Sequence, residues 1–231
     1  MELEQLTFTY EFNDEKTLKT FVVGRNQGLI DNLLQPHSEF MQTYIYAPGN
    51  CGKSHLLYAV SDLLSGNQTG MYLSLSDPDI REIGPEVLEN TEELDYLLVD
   101  DLDAVAGDRT WEIALYSCIN LARKVNRCHL IFTAAGLPSE VKFSLNDLRT
   151  RLQWGETFYL HPLDGDELAT LIKCMLATKG LEISQSVIDF IYRRITWTLP
   201  EVVRCAEKLM NFAIENNAKI TVPVVKKALG I

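Results

Sequence analysis

The chain has 231 residues, 46% of them hydrophobic, and a formal net charge of −11. That length buries a good core and leaves room for a larger and a smaller domain, while the acidic balance argues against a basic nucleic-acid footprint as the main business of the surface. The five cysteines, Cys51, Cys118, Cys128, Cys174 and Cys205, are scattered and form no CxxC pair, so neither a disulfide framework nor a zinc site is expected.

In chain order, the opening "MELEQLTFTYEF" has no basic stretch followed by an apolar one, and no apolar run approaches the ~20 residues of a membrane span. A cytoplasmic protein is expected. Within that opening, Gln5, Leu6 and Phe8 offer one amide and two apolar anchors, the chemistry of a peptide that inserts into a partner's pocket. Leu6 and Phe8 fit alternating positions of an edge strand equally well. From there short β-rich runs alternate with helical patterns: "QTYIYA" around Tyr44, "GMYLSLS" around Leu73, "DYLLVDD" around Leu98, "CHLIFTA" around Ile131 and "TFYLHPL" around Tyr159. This rhythm reads as βα units around a parallel sheet. Segments 53–64 and 111–127 carry apolar residues at helical spacing and would cover it. After Pro162 the strand pattern stops and amphipathic segments follow at 165–179, 184–195, 200–217 and 221–229. They predict a small all-helical domain, with Ser184 as an N-cap and Pro200 and Pro223 in first turns.

Between the first strand and its helix stands "APGNCGKS". Its end matches a phosphate-binding loop, Gly-x-x-x-x-Gly-Lys-Ser, but its opening position holds Ala47. Pro48, Gly49, Asn50, Cys51 and Gly52 would form the loop, Lys53 would take the β-phosphate, Ser54 would hold Mg²⁺, and His55 follows on the helix. The strand "LDYLLVDD" ends in Asp100, placed to hold magnesium, and Asp101, placed to position water; such a pair also suits a solvated turn. His37, His55, His129 and His161 show no metal-ligand spacing. Arg123, Lys124 and Arg127 read as a solvated helix face, with a local DNA-touching strip as the other reading.

Three stretches carry a resemblance. "KTLKTFVVGRNQGLI", "YLLVDDLDAVAGDRTWE" and "LNDLRTRLQWG" resemble segments of the bacterial replication initiator family DnaA, and the likeness spans nearly the whole chain. It implies an AAA+ fold: an α/β P-loop parallel sheet covered by helices at 14–163, a helical lid at 164–231, and Val22, Val23 and Gly24 beside adenine. The chain ends at "VVKKALGI", where DnaA continues into a DNA-binding domain; in this it is similar to the shorter Hda-type regulatory inactivators. Those proteins bind the replication sliding clamp through an N-terminal peptide, which 1–13 with "QLTF" resembles. The resemblance implies ADP or ATP with Mg²⁺ as cofactors. Its implied partners are DnaA and the DNA polymerase III sliding clamp (beta subunit), with DNA met mainly through the clamp, no membrane, and a homodimer left open. It also implies that Arg151 is an arginine finger acting on a neighbour's nucleotide, although Arg149 and Arg151 equally fit a solvated helix face. The family's Thr-x-Asp sensor keeps Thr133 but has Ala135 in place of the acid, and Pro200 stands where a lid arginine is expected, with Arg204 one turn later. Slow hydrolysis by the chain itself is therefore expected. A helicase loader that binds the replicative helicase and single-stranded DNA is the alternative, and an autonomous ATPase motor a third.

Overall fold

The computed structural model describes residues 21–231; Gln5, Leu6 and Phe8 lie outside the described residues. The apolar runs form β1 Met41–Tyr46, β2 Gly70–Ser74, β3 Tyr96–Asp100, β4 His129–Ala134 and β5 Glu156–Tyr159. All pair in parallel in the order β2-β3-β4-β1-β5. Alternate residues of a strand point to opposite faces, and both faces of this sheet are dry. Leu97, Val99, Leu130 and Phe132 pack on one side with Leu115 and Ile119 of α4 Arg109–Val125 and Leu148 of α5 Asn146–Leu152. Leu98 and Ile131 pack on the other with Leu29 and Leu33 of α1 Gln27–Leu33 and Leu56 and Val60 of α2 Lys53–Leu64. A short α3 Pro78–Ile83 follows β2.

Helix α4 begins two residues before the expected 111 and ends two before 127. The Asp108 carboxylate caps it by accepting from Thr110 N–H at 3.1 Å, and Asn126 stops it in the left-handed region at φ 63.

The C-terminal helices are α6 Gly165–Thr178, α7 Gln185–Tyr192, α8 Leu199–Glu215 and α9 Val222–Leu229, and they enclose a core of their own that includes Ile172, Ile191, Val202, Leu209 and Val225. Asp164 and Glu167 close a reciprocal capping box at the start of α6. Ser184 occupies the N-cap of α7, but its hydroxyl bonds the Ser186 hydroxyl rather than a helix N–H. Pro200 and Pro223 sit in the first turns of α8 and α9. No described helix is long and apolar enough to cross a membrane.

One buried polar chain crosses the far end of the sheet. Thr43 Oγ1 donates to Asn32 Oδ1 at 2.7 Å, so it must accept from His129 Nε2–H at 2.8 Å, and His129 Nδ1 is left without a partner. Burial, and then the neighbouring His37 ring, push the His129 pKa down to about 3. The folded protein therefore resists a proton that the unfolded chain accepts near pH 6.5. The sign follows: this histidine costs no stability above about pH 6.5 and a growing amount as pH falls toward about 3. Chemical denaturation should show a component of about 2 kcal/mol lost between pH 7 and pH 5. That component should vanish in His129→Leu.

Candidate functional site

At the carboxyl end of β1 the chain has not yet turned at Ala47: its N–H still donates to Ala134 O at 3.2 Å, and the residue is fully buried. The left-handed turns come later, at Gly49 (φ +61) and Gly52 (φ +96), and Gly52 is the N-cap of α2. Alanine at 47 is therefore accommodated without strain, because the conformational freedom is needed two residues on. Lys53 is 8% exposed and folds back over the loop, its Nζ donating to Ala47 O at 2.8 Å and Gly49 O at 3.0 Å.

A cavity of about 580 Å³ opens between this loop and the helical lid. Of the residues singled out from sequence, Val22, Gly49, Asn50, Cys51, Gly52, Lys53, Ser54, His55, Asp101 and Arg204 line it; Val23, Gly24, Pro48 and Asp100 do not. Sequence reading missed its apolar lid wall, which includes Leu171 and Met175 from α6 and Leu199 and Val203 from α8, and it missed Phe21, whose ring meets His55 edge-on at 5.7 Å. Arg204 reaches the cavity rim but is ion-paired to Glu201 at 2.7 Å. At that exposure the pair contributes ~1 kcal/mol or less.

The segment before α1 is tied to the lid. Gly24 adopts φ +52, and a Cβ there would lie 2.4 Å from Glu167 Oε1, in the first turn of α6. Asn26, 3% exposed, uses both ends of its amide on the chain leading out of β5: Nδ2 donates to His161 O at 3.1 Å and Oδ1 accepts from His161 N–H at 2.8 Å. Both residues stand in "VVGRNQG", and the signal that was available is a lone asparagine before a helix, a residue type equally at home as an N-cap.

The two acids after β3 separate. Asp100 has no exposed surface; its carboxylate accepts from Tyr72 O–H at 2.9 Å, from the Thr133 hydroxyl, and from Asp101 N–H at 3.2 Å. Asp101 takes a left-handed conformation at φ 55, lines the cavity and accepts from Ser76 O–H at 2.7 Å. Burial pushes its pKa up; the Ser76 hydrogen bond opposes this, and the charges of Asp100 and Asp103 reinforce it. A divalent cation accompanying phosphate needs oxygen donors, and Ser54 and Asp101 bring such donors to the cavity. At the end of β4, Ala135 has no acid of its own, but its N–H donates to Asp103 Oδ1 at 2.9 Å. Among the described residues no cluster of three histidine, cysteine or acidic side chains suits a metal.

Arg151 lies elsewhere. In the last turn of α5 its guanidinium stacks 3.6 Å from the Trp154 ring centre and 5.5 Å from that of Tyr116, and it does not line the cavity. Arg149 turns instead to Asn146 on its own helix. The fully buried Glu112 carboxylate fixes the start of α5 by accepting from Ser144 N–H (2.9 Å) and Leu145 N–H (2.7 Å), while also accepting from Gly107 N–H (2.7 Å).

Asn26→Ala would leave the His161 backbone pair without partners, which should cost about 1–3 kcal/mol in denaturant unfolding. Faster hydrogen exchange at the His161 amide should accompany it, and unchanged exchange would show that the lid connection does not depend on this clamp.

Residues 164–229 match the family model for the lid domain of Hda. A Haemophilus influenzae protein described only as uncharacterized is 28% identical over 231 residues, covering 99% of each chain. Among solved structures, domain III of the Thermotoga maritima replication initiation protein DnaA superposes with a TM-score of 0.76 at 18% identity, covering 94% of this chain and 97% of that one. AMPPCP-bound DnaA from Aquifex aeolicus gives 0.69 at 20% identity over 95% and 81%. The chain thus has the AAA+ fold of DnaA domain III, and its helical domain is similar to the lid domain of Hda.

Proposed function

We propose that this protein regulates replication initiation: it holds a nucleotide, docks on the DNA sliding clamp and stimulates hydrolysis of the ATP bound to DnaA. The observation that carries this reading is the position of Arg151, outside the chain's own cavity on a helix anchored by Glu112. An arginine so placed is available to a nucleotide held by a neighbouring subunit. The Hda-type lid supports the same reading, and the AMPPCP-bound structural neighbour supports a nucleotide as occupant of the cavity.

In this proposal the Lys53 ammonium exchanges its loop carbonyl acceptors for the β-phosphate of ADP or ATP, beside the first N–H groups of α2, whose dipole also favours negative charge. The apolar wall of Val22, Leu171 and Met175 receives adenine. Ser54 would hold Mg²⁺, which supplies charge neutralisation at the phosphates. Ala135 and Pro200 leave the site short of phosphate-sensing groups, so turnover by the chain itself is slow. Gln5, Leu6 and Phe8 bind the clamp, DNA is met mainly through it, and the protein works in the cytoplasm.

Lys53→Ala should abolish retention of ADP through purification. Arg151→Ala should retain nucleotide and clamp binding but lose stimulation of DnaA-bound ATP hydrolysis, assayed with clamp loaded on DNA; in-trans arginines contribute ~10³–10⁵ in rate in other nucleotide hydrolases. Arg149→Ala serves as control and should do less. Full stimulation by the Arg151 variant would mean that the protein acts by arranging DnaA subunits rather than by completing their active site.

A further inference from the structure

We infer that Tyr72 is a positioning residue that withholds the Asp100 carboxylate from a divalent cation at the nucleotide cavity, leaving Asp101 as the acid that faces such a cation. The inference rests on reading the cavity as a nucleotide site.

Its basis is the hydrogen bonding at the carboxyl ends of three adjacent strands. β2 pairs with β3 in a register that sets Tyr72 opposite Leu98, and the phenol reaches forward to donate to Asp100 Oδ2 at 2.9 Å. From the other side Thr133 of β4 donates to Oδ1, which also accepts from Asp101 N–H. Thr133 is itself fully engaged, since its oxygen accepts from Asp101 N–H at 3.0 Å. Both carboxylate oxygens are therefore held by neutral donors, and the residue has no exposed surface. The Tyr72 ring is braced in turn by Tyr58 of α2, at 4.3 Å between centres.

Mg²⁺ demands near-ideal octahedral geometry and gives up its waters reluctantly. An oxygen with no exposed surface joins that arrangement, directly or through a water, only if Tyr72 or Thr133 lets go. Asp101 has no such obstacle, because its left-handed backbone brings the residue to the cavity and Ser76, which donates to its carboxylate, is exposed. The phosphate loop with Lys53 then carries most of the affinity for a nucleoside diphosphate, and the metal adds little. Removing one hydroxyl should reverse this, since groups that orient a metal ligand from behind alter metal affinity by about 10–100-fold.

The test titrates the full chain with N-methylanthraniloyl-ADP in Mg²⁺ and in EDTA and takes the ratio of the two affinities. Wild type is expected to give a ratio within about threefold. Tyr72→Phe, which keeps the ring, should raise the ratio by about tenfold or more, with an unchanged affinity in EDTA; a role in folding alone would lower both affinities and leave the ratio as it was. Asp101→Asn should bring the wild-type ratio to one, which tests the assignment independently of whether the Tyr72 variant folds. A Tyr72→Phe ratio equal to wild type, or a strongly metal-dependent wild type, overturns the inference while leaving the nucleotide site intact. Wild type that binds no ADP in either buffer overturns both.

Discussion

A carboxylate with no exposed surface ends β3, and the geometry of the site depends on how it is satisfied. An unpaired buried charge costs several kcal/mol, so Asp100 draws donors from the strands on both sides: Tyr72 from β2 and Thr133 from β4. These bonds lock the carboxyl ends of β2, β3 and β4 to one another. The lock also sets the turn that follows, because Asp101 N–H is shared between Asp100 and Thr133 and the chain leaves β3 in a left-handed conformation. That turn is what carries the Asp101 carboxylate into the cavity.

A second buried carboxylate performs the same service one layer away. Glu112 lies in the first turn of α4, where the helix dipole favours negative charge. Its three backbone donors come from Gly107 before α4 and from Ser144 and Leu145 before α5. The helix bearing Arg151 is thereby fixed to the helix that covers the sheet. Beyond α5 the chain returns through Gly155, where a Cβ would lie 1.9 Å from Gln42 O, so only glycine permits the approach to β1. Trp154, just before it, is held near the guanidinium groups of both Arg151 and Arg123, at 3.6 and 4.1 Å. Such contacts contribute ~0.5–1 kcal/mol each at exposed sites, enough to favour one orientation of Arg151 without burying it.

The cavity belongs to neither domain alone. Its polar floor comes from the loop after β1 and its apolar wall from α6 and α8, while the Asn26 amide and the close fit of Gly24 against Glu167 tie the segment before α1 to the lid connection. A ligand that fills the cavity touches both parts, so its binding energy bears on the lid angle.

The sequence by itself determined the architecture. Continuous apolar runs marked the five strands because a parallel sheet is covered on both faces, and 3.6-residue periodicity with Ser and Pro at helix starts marked the helices of the lid. The DnaA-like stretches and the Gly-Lys-Ser loop pointed to an AAA+ fold, which the superposition with DnaA domain III bears out. Only the tertiary structure decided which side chains meet the cavity. Asp100 and Asp101 are adjacent and chemically identical, and their separation depends on donors to Asp100 that lie 28 and 33 residues away. The loop opening at Ala47 looked defective because the motif counts residues, whereas the turn is made at Gly49 and Gly52, after the sheet has released the chain. Asn26 clamps a backbone 135 residues away, and Asp103 meets the N–H of Ala135 from across the sheet end. Periodicity reports which face of an element is buried; it carries no information about the partner that a polar group finds once the strands are in register.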